Sequence, residues 1–230
     1  TTSYREHGEG FGPNFVNVIG TYLAKFPQVK KVGIGLPGMI SKDRMTPLEI
    51  PAIPALNNFP LKATLKAKYP NHDFFLENDA AAAAIGEFQF GKGDVSSNFL
   101  FITMGTGIGS ALVLDGEVFK GSRGNALEMG HMLSRGNAGL ETLIGRQGIL
   151  KIMANLIAAY PEKAGELVGK ELGTHLLVDT ARMGNEVSLM VFKEVAEIIS
   201  ESIVSAIRVL DVTDVYFGGG IAAGLEFMMP

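Results

Sequence analysis

The chain has 230 residues, 47% apolar and 19% charged, with a formal net charge of −4 and no cysteine. That composition excludes a disordered chain, provides for one large core or two smaller ones, and rules out disulfides and thiolate metal sites. No lysine or arginine run, no apolar run of the ~18 residues that span a bilayer and no signal peptide are present, so neither nucleic acid nor a membrane is the expected partner and a cytoplasmic location is expected.

Residues 1–12 are polar, with little periodicity. Phe15, Val18, Ile19, Tyr22 and Leu23 recur at helical spacing and predict an amphipathic helix over 14–26. Residues 31–36 predict a short buried strand that ends at Pro37-Gly38. A glycine there serves a plain turn as readily as a ligand edge. Residues 41–60, interrupted by Pro47, Pro51, Pro54 and Pro60, predict loop. A helix over 61–69 is closed by Pro70, and a strand follows over 73–76. It delivers Glu77-Asn78-Asp79 to an alanine run, Ala80–Ala84, the best helix-forming sequence available. Asn78 or Asp79 can cap that helix, and two readings of Asp79 stand: an N-terminal cap, or a general base at the carboxyl edge of a strand.

Gly86 to Lys92 fits the first seven positions of a phosphate-binding P-loop, but Gly93 stands where Ser or Thr is needed. The stretch reads instead as a helix end and linker. A domain boundary is expected across 94–98, dividing the chain into domains 1–94 and 95–230. Residues 99–103 and 111–114 predict strands around Gly105-Thr106-Gly107-Ile108-Gly109. Such a turn is either a plain hairpin or an anion nest, in which glycines allow positive φ and bare N–H groups meet a phosphate. The hydroxyls of Thr103 and Thr106 add donors in the second case.

Farther on, Glu128 and His131 are three residues apart and can face one site; a lone histidine such as His131 is more often a structural residue. Glu141 heads a helical run. Helices are predicted over 149–160, 163–172 and 187–210. A strand over 214–217 runs into Gly218-Gly219-Gly220 and a helix start. That is either a simple strand-to-helix turn or a second nucleotide-binding place on a helix N-terminus.

Taken in order, these pieces resemble the ROK sugar kinases, which include bacterial glucokinases and N-acetylhexosamine kinases. Gly33-Ile-Gly-Leu-Pro-Gly38 looks like the family's first sugar-edge turn. Glu77-Asn-Asp-Ala through Gly86-Glu87 looks like its catalytic block. Thr103 to Gly109 looks like its phosphate loop, Glu128-Met-Gly-His131 like its sugar-binding motif, and Gly218-Gly-Gly220 like its adenosine-side glycines. The resemblance implies an actin-like, ribonuclease-H-like α/β fold of two domains closing over a cleft. It implies ATP-dependent phosphorylation of a hexose or N-acetylhexosamine, with Mg2+ bridging the phosphates. Asp79 would be the base. Gly38, Asn78, Asp79, Glu128, His131 and Glu141 would hold the sugar. Thr103, Gly105, Thr106, Gly107, Gly109, Gly219 and Gly220 would hold the nucleotide. A homodimer is expected, as is frequent in the family.

The chain also departs from the family. Its usual opening Asp-x-Gly-Gly-Thr hairpin has no counterpart, the first residue is Thr, and the chain stops soon after Gly224, so a fragment is expected. The cysteines that join the motif histidine around zinc are missing, so zinc is not expected. Ala52 and Leu56 fall where the family has Asn and Trp, and Leu127 where Gly is usual. Alternatives to an ATP-dependent kinase are a sugar-responsive ROK-type transcriptional regulator, a non-catalytic sugar-binding protein, and a kinase that takes polyphosphate as donor.

Overall fold

The structure is a computed structural model that describes residues 10–229. Residues 1–9, most of the polar opening segment, and Pro230 lie outside the described residues. The described residues divide into two compact units: residues 10–92 with 118–126, and residues 93–117 with 127–229. Each has its own hydrophobic core.

The first unit contains α1 (Phe11–Lys25), β1 (Lys31–Leu36), β2 (Met39–Ile40), β3 (Pro47–Glu49), α2 (Leu61–Lys68), β4 (Asp73–Asn78) and α3 (Asp79–Phe90). β1 and β4 pair in parallel, from Lys31 opposite Asp73 to Leu36 opposite Asn78, so both strands finish at the same edge. Their inward residues join Val16 and Leu23 of α1 and Leu61 and Leu65 of α2 in the core. The stretch 41–60 is more ordered than the predicted loop. β2 and β3 form an antiparallel pair, and Pro54–Leu56 makes a 3-10 turn. Pro47 stands at the first position of its strand, where a missing N–H is tolerated. Ile50 and Leu56 are fully buried. Their spacing follows no helix or strand period, because a tertiary core rather than a local pattern selects them.

The second unit contains β5 (Phe99–Met104), β6 (Ile108–Leu114), the two-residue β7 (Glu117–Val118) where the chain passes to the first unit, α4 (Leu140–Ile144), α5 (Arg146–Ala159), α6 (Pro161–Ala164), α7 (Thr174–Arg182), α8 (Glu186–Leu210) and β8 (Asp214–Gly218). β5 pairs antiparallel with β6 and parallel with β8. Four of its six residues, Phe99, Leu100, Ile102 and Met104, are completely buried. α8 packs Val187, Val191, Phe192 and Val195 on this core. Its start is fixed by Asn185, whose side chain accepts the Ser188 N–H and donates to the Ala164 carbonyl.

Three sequence-based expectations change in this unit. The helix predicted over 163–172 is only α6 and a 3-10 turn, Gly165–Leu167, because Gly165 and Gly169 adopt φ of +50° and +73° and break it. α7 was not predicted: its valine, threonines and aspartate are weak helix formers, and the helix is held by burial of Leu177, Val178 and Ala181. The segment after Gly219 is a 3-10 helix, Gly220–Phe227, and not an α-helix. A side chain at Gly224 would collide with the Phe192 ring, which keeps this segment close against α8. No helix among the described residues is long and apolar enough to cross a membrane.

Candidate functional site

The predicted site residues fall into two sets, one in each unit. In the first unit, the paired ends of β1 and β4 bring Gly38, Asn78 and Asp79 together. Gly38 has φ +120°, and a Cβ there would collide with the Glu49 carbonyl and lie 3.1 Å from Pro51 Cδ. Its own carbonyl accepts a hydrogen bond from Asn78 Nδ2 at 3.2 Å. Asn78 Oδ1 accepts the Ala81 N–H at 3.1 Å, which makes Asn78 the cap of α3. Asp79 is the first residue of the helix. Its Oδ1 accepts only the neighbouring Ala80 N–H, at 2.9 Å, and its side chain is otherwise exposed among the described residues. Of the two sequence readings, capping therefore belongs to Asn78. The Asp79 carboxylate is free to accept a proton from outside.

Behind this pair sits a charged cluster that the sequence did not single out. The Glu77 carboxylate meets Arg44 Nη2 at 2.9 Å and Lys120 Nζ at 3.5 Å and accepts the Asn78 N–H at 3.0 Å. The Arg44 and Glu77 side chains are only 11% and 15% exposed. Arg44 and Lys120 come from loops far from Glu77 in the chain, so no local signal could have joined them. Asn125 ties the Lys120 segment to β2 by accepting the Ile40 N–H at 2.9 Å. Leu56 is part of the core.

In the second unit, the glycine-rich turn is tighter than predicted. β6 begins at Ile108, so Gly109 lies within the strand opposite Thr103, and only residues 105–107 form the turn. None of Gly105, Gly107 and Gly109 has positive φ. Gly107 is needed for close approach instead: a Cβ there would lie 2.8 Å from Glu141 Cδ and collide with its Oε2, whereas a Cβ on Gly105 would meet open space. Gly105 N–H donates to the Gly107 carbonyl at 2.9 Å, whereas the N–H groups of Thr106 and Gly107 find no partner among the described residues. The Thr103 and Thr106 hydroxyls are likewise unbonded among the described residues, and Thr106 is exposed. Two bare amides and the Thr106 hydroxyl at the turn, with the Thr103 hydroxyl on the strand before it, form a donor set that fits phosphate oxygens.

Glu128 precedes a 3-10 turn, Met129–His131, that ends on His131, and both side chains are exposed. Ser110, buried on β6, pins this segment: its Oγ accepts the Met129 N–H and donates to the Leu127 carbonyl. Leu127 has φ +66°, a left-handed conformation that glycine adopts without the Cβ penalty a leucine meets there. Glu141, on the first turn of α4, lies against the same ensemble: its Oε2 accepts the Ile108 N–H at 2.9 Å. The structure thus brings Glu141 directly to the glycine turn, which the sequence had placed with the sugar residues. The segment between His131 and Glu141 is closed by a Leu133–Gly139 bridge and by Arg135, whose guanidinium bonds both carboxylate oxygens of Glu201. That hydrogen bond holds the Glu201 carboxyl below its usual range and raises Arg135. No group of three or more His, Cys, Asp or Glu side chains among the described residues is placed to hold a metal ion.

The triple glycine sits at the end of β8. Gly219, at φ +89°, would strike the Met104 carbonyl with any side chain, and Gly218 would lie 2.7 Å from Phe101 Cζ. Both are therefore needed for contact with β5. Gly220 faces open space and is exposed.

The ROK family model matches residues 6–229. The glucokinase of Thermotoga maritima is 32% identical over 211 residues, covering 86% of this chain and 66% of that protein. The xylose repressor of Caldicellulosiruptor bescii is 28% identical over 218 residues, covering 88% of this chain and 54% of the repressor. A ROK family glucokinase from Streptomyces griseus, solved in complex with glucose and AMPPNP, aligns with a TM-score of 0.79 at 25% identity, over 94% of this chain and 76% of that one. The chain thus spans 54% to 66% of the length of these two curated relatives.

Proposed function

The chain belongs to the ROK family, and from that premise we propose that it forms the main part of a sugar kinase that transfers phosphate from ATP to a hexose or N-acetylhexosamine. Its fold is the actin-like fold of the ROK sugar kinases. One observation carries the proposal: Asn78 does the capping of α3, so the exposed Asp79 carboxylate at the strand end has no structural task beyond its own Ala80 N–H.

In this reading Asp79 takes the proton from the attacking sugar hydroxyl, and the freed oxygen lone pair forms the new bond to the terminal phosphorus as ADP leaves. Gly38 and Asn78 shape the sugar edge beside it. Glu128, His131 and Glu141 hold further hydroxyls. The bare Thr106 and Gly107 amides, the two threonine hydroxyls and the open Gly220 backbone receive the nucleotide. Magnesium, arriving with ATP, would screen the phosphate charge. Little covalent chemistry is required of the protein, since phosphoryl transfer rests on positioning and charge stabilisation.

The glucokinase relatives support a kinase; the xylose repressor similarity supports a second reading, a sugar-responsive regulator. The test is coupled ADP release by the full-length protein on glucose, N-acetylglucosamine and N-acetylmannosamine. Turnover on one sugar that Asp79→Asn abolishes establishes the kinase. No turnover on any sugar, with sugar still raising the melting temperature, sinks it and favours the regulator or a non-catalytic binder. Parallel assays with polyphosphate identify the donor, and sedimentation of the same sample tests the expected homodimer.

A further inference from the structure

Three motifs that are separate in the sequence meet at one carboxylate. Glu141 Oε2 accepts the Ile108 N–H, immediately after the glycine turn. Gly107 leaves the space in which that carboxylate lies. A Cβ on Gly130, the glycine of Glu128-Met-Gly-His131, would lie 3.5 Å from Glu141 Cβ and would collide with the Ile108 carbonyl. On the other side, Arg146 N–H donates to the Thr106 carbonyl at 3.2 Å, and a Cβ on Gly145 would lie 2.6 Å from the Glu141 carbonyl. The junction of α4 and α5 therefore grips the turn at Thr106 and at Ile108.

We propose that Glu141 is a positioning residue for the phosphate turn as well as a sugar ligand, and that through it the two substrates bind cooperatively. This rests on the kinase reading of the turn and of Glu141. Glu141 has two oxygens with different work. Oε2 is committed to the Ile108 N–H, while Oε1 has no hydrogen bond among the described residues, and the side chain is exposed. A sugar hydroxyl donating to Oε1 fixes the carboxylate, and the fixed carboxylate holds the turn with its Thr106 and Gly107 amides ready for phosphate. Occupied sugar thereby tightens nucleotide, and nucleotide must tighten sugar by the same factor. A hydrogen bond to a charged group sets the scale at roughly 10-fold.

The test is steady-state kinetics on the full-length protein, with KM measured for each substrate. Glu141→Ala is expected to raise the KM for ATP about 10-fold in addition to that for the sugar. Glu141→Gln, whose side-chain carbonyl still accepts the Ile108 N–H, is expected to restore most of the ATP effect. Gly107→Ala, which changes no sugar ligand but displaces the carboxylate, is expected to raise the sugar KM. A rise in sugar KM alone for Glu141→Ala, with ATP KM unchanged, overturns the proposal. The Ile108 amide proton in a two-dimensional NMR spectrum is read alongside: it is expected to move upfield in Glu141→Ala, and an unmoved resonance overturns the contact itself. A wild-type protein that turns over no sugar yet keeps the Ile108 dependence refutes the kinase and with it the coupling, while leaving the grip on the turn supported.

Discussion

Replacing Asn78 by alanine removes two hydrogen bonds at one stroke. The lost cap at the Ala81 N–H costs about 1 kcal/mol. The Gly38 carbonyl loses its Asn78 partner at a further cost of about 1 kcal/mol. The sum, about 2 kcal/mol, lowers Tm by roughly 4–8 °C in a chain of this size. The neighbouring Asp79→Asn change behaves oppositely. Asparagine retains an oxygen for the Ala80 N–H, and only the favourable charge at the helix N-terminus is lost, about 0.5 kcal/mol or less. Tm should stay within ~2 °C of wild type, whereas loss of a general base lowers turnover roughly 10²–10⁴-fold. Thermal melts and ADP release on the same three proteins measure both. Asp79→Asn destabilising as much as Asn78→Ala, or keeping its turnover, would refute the division of labour between the two residues.

Other perturbations test the surrounding frame. Gly38→Ala forces a side chain into the Glu49 carbonyl at a φ that L residues avoid, and is expected to cost about 3 kcal/mol in a urea melt. Glu77→Gln leaves the mostly buried Arg44 without its counter-charge, and a loss of about 2 kcal/mol is expected by the same measurement. For Glu201, the folded carboxyl is held below its usual range by Arg135, so its contribution is present above the unfolded value and fades as pH falls through the folded one. Melting curves of wild type and Glu201→Gln should accordingly differ at neutral pH and converge in acid; a constant gap across that window would contradict the pairing.

The strongly periodic elements were legible in the sequence because their information is local. The long helix α8, the strand Lys31–Leu36, the alanine helix and the apolar strands around the glycine turn are each specified by residues within a few positions of one another. So were the residues that carry the family resemblance, since their order in the chain suffices to identify them. What the glycines do was not local. Gly107 reads as a φ-permitting turn residue, yet it is there to let the carboxylate of Glu141, thirty-four positions on, reach Ile108. Nor could local pattern choose between Asn78 and Asp79 as the cap, because the decision depends on which side chain also reaches Gly38 from a neighbouring strand. The Arg44–Glu77–Lys120 cluster and the order within 41–60 have the same origin. Sequence alone determined the kinds of element and the candidate chemistry; tertiary structure decided which polar groups are spent on one another and which remain free, since hydrogen bonds and ion pairs join groups by distance in space and not along the chain.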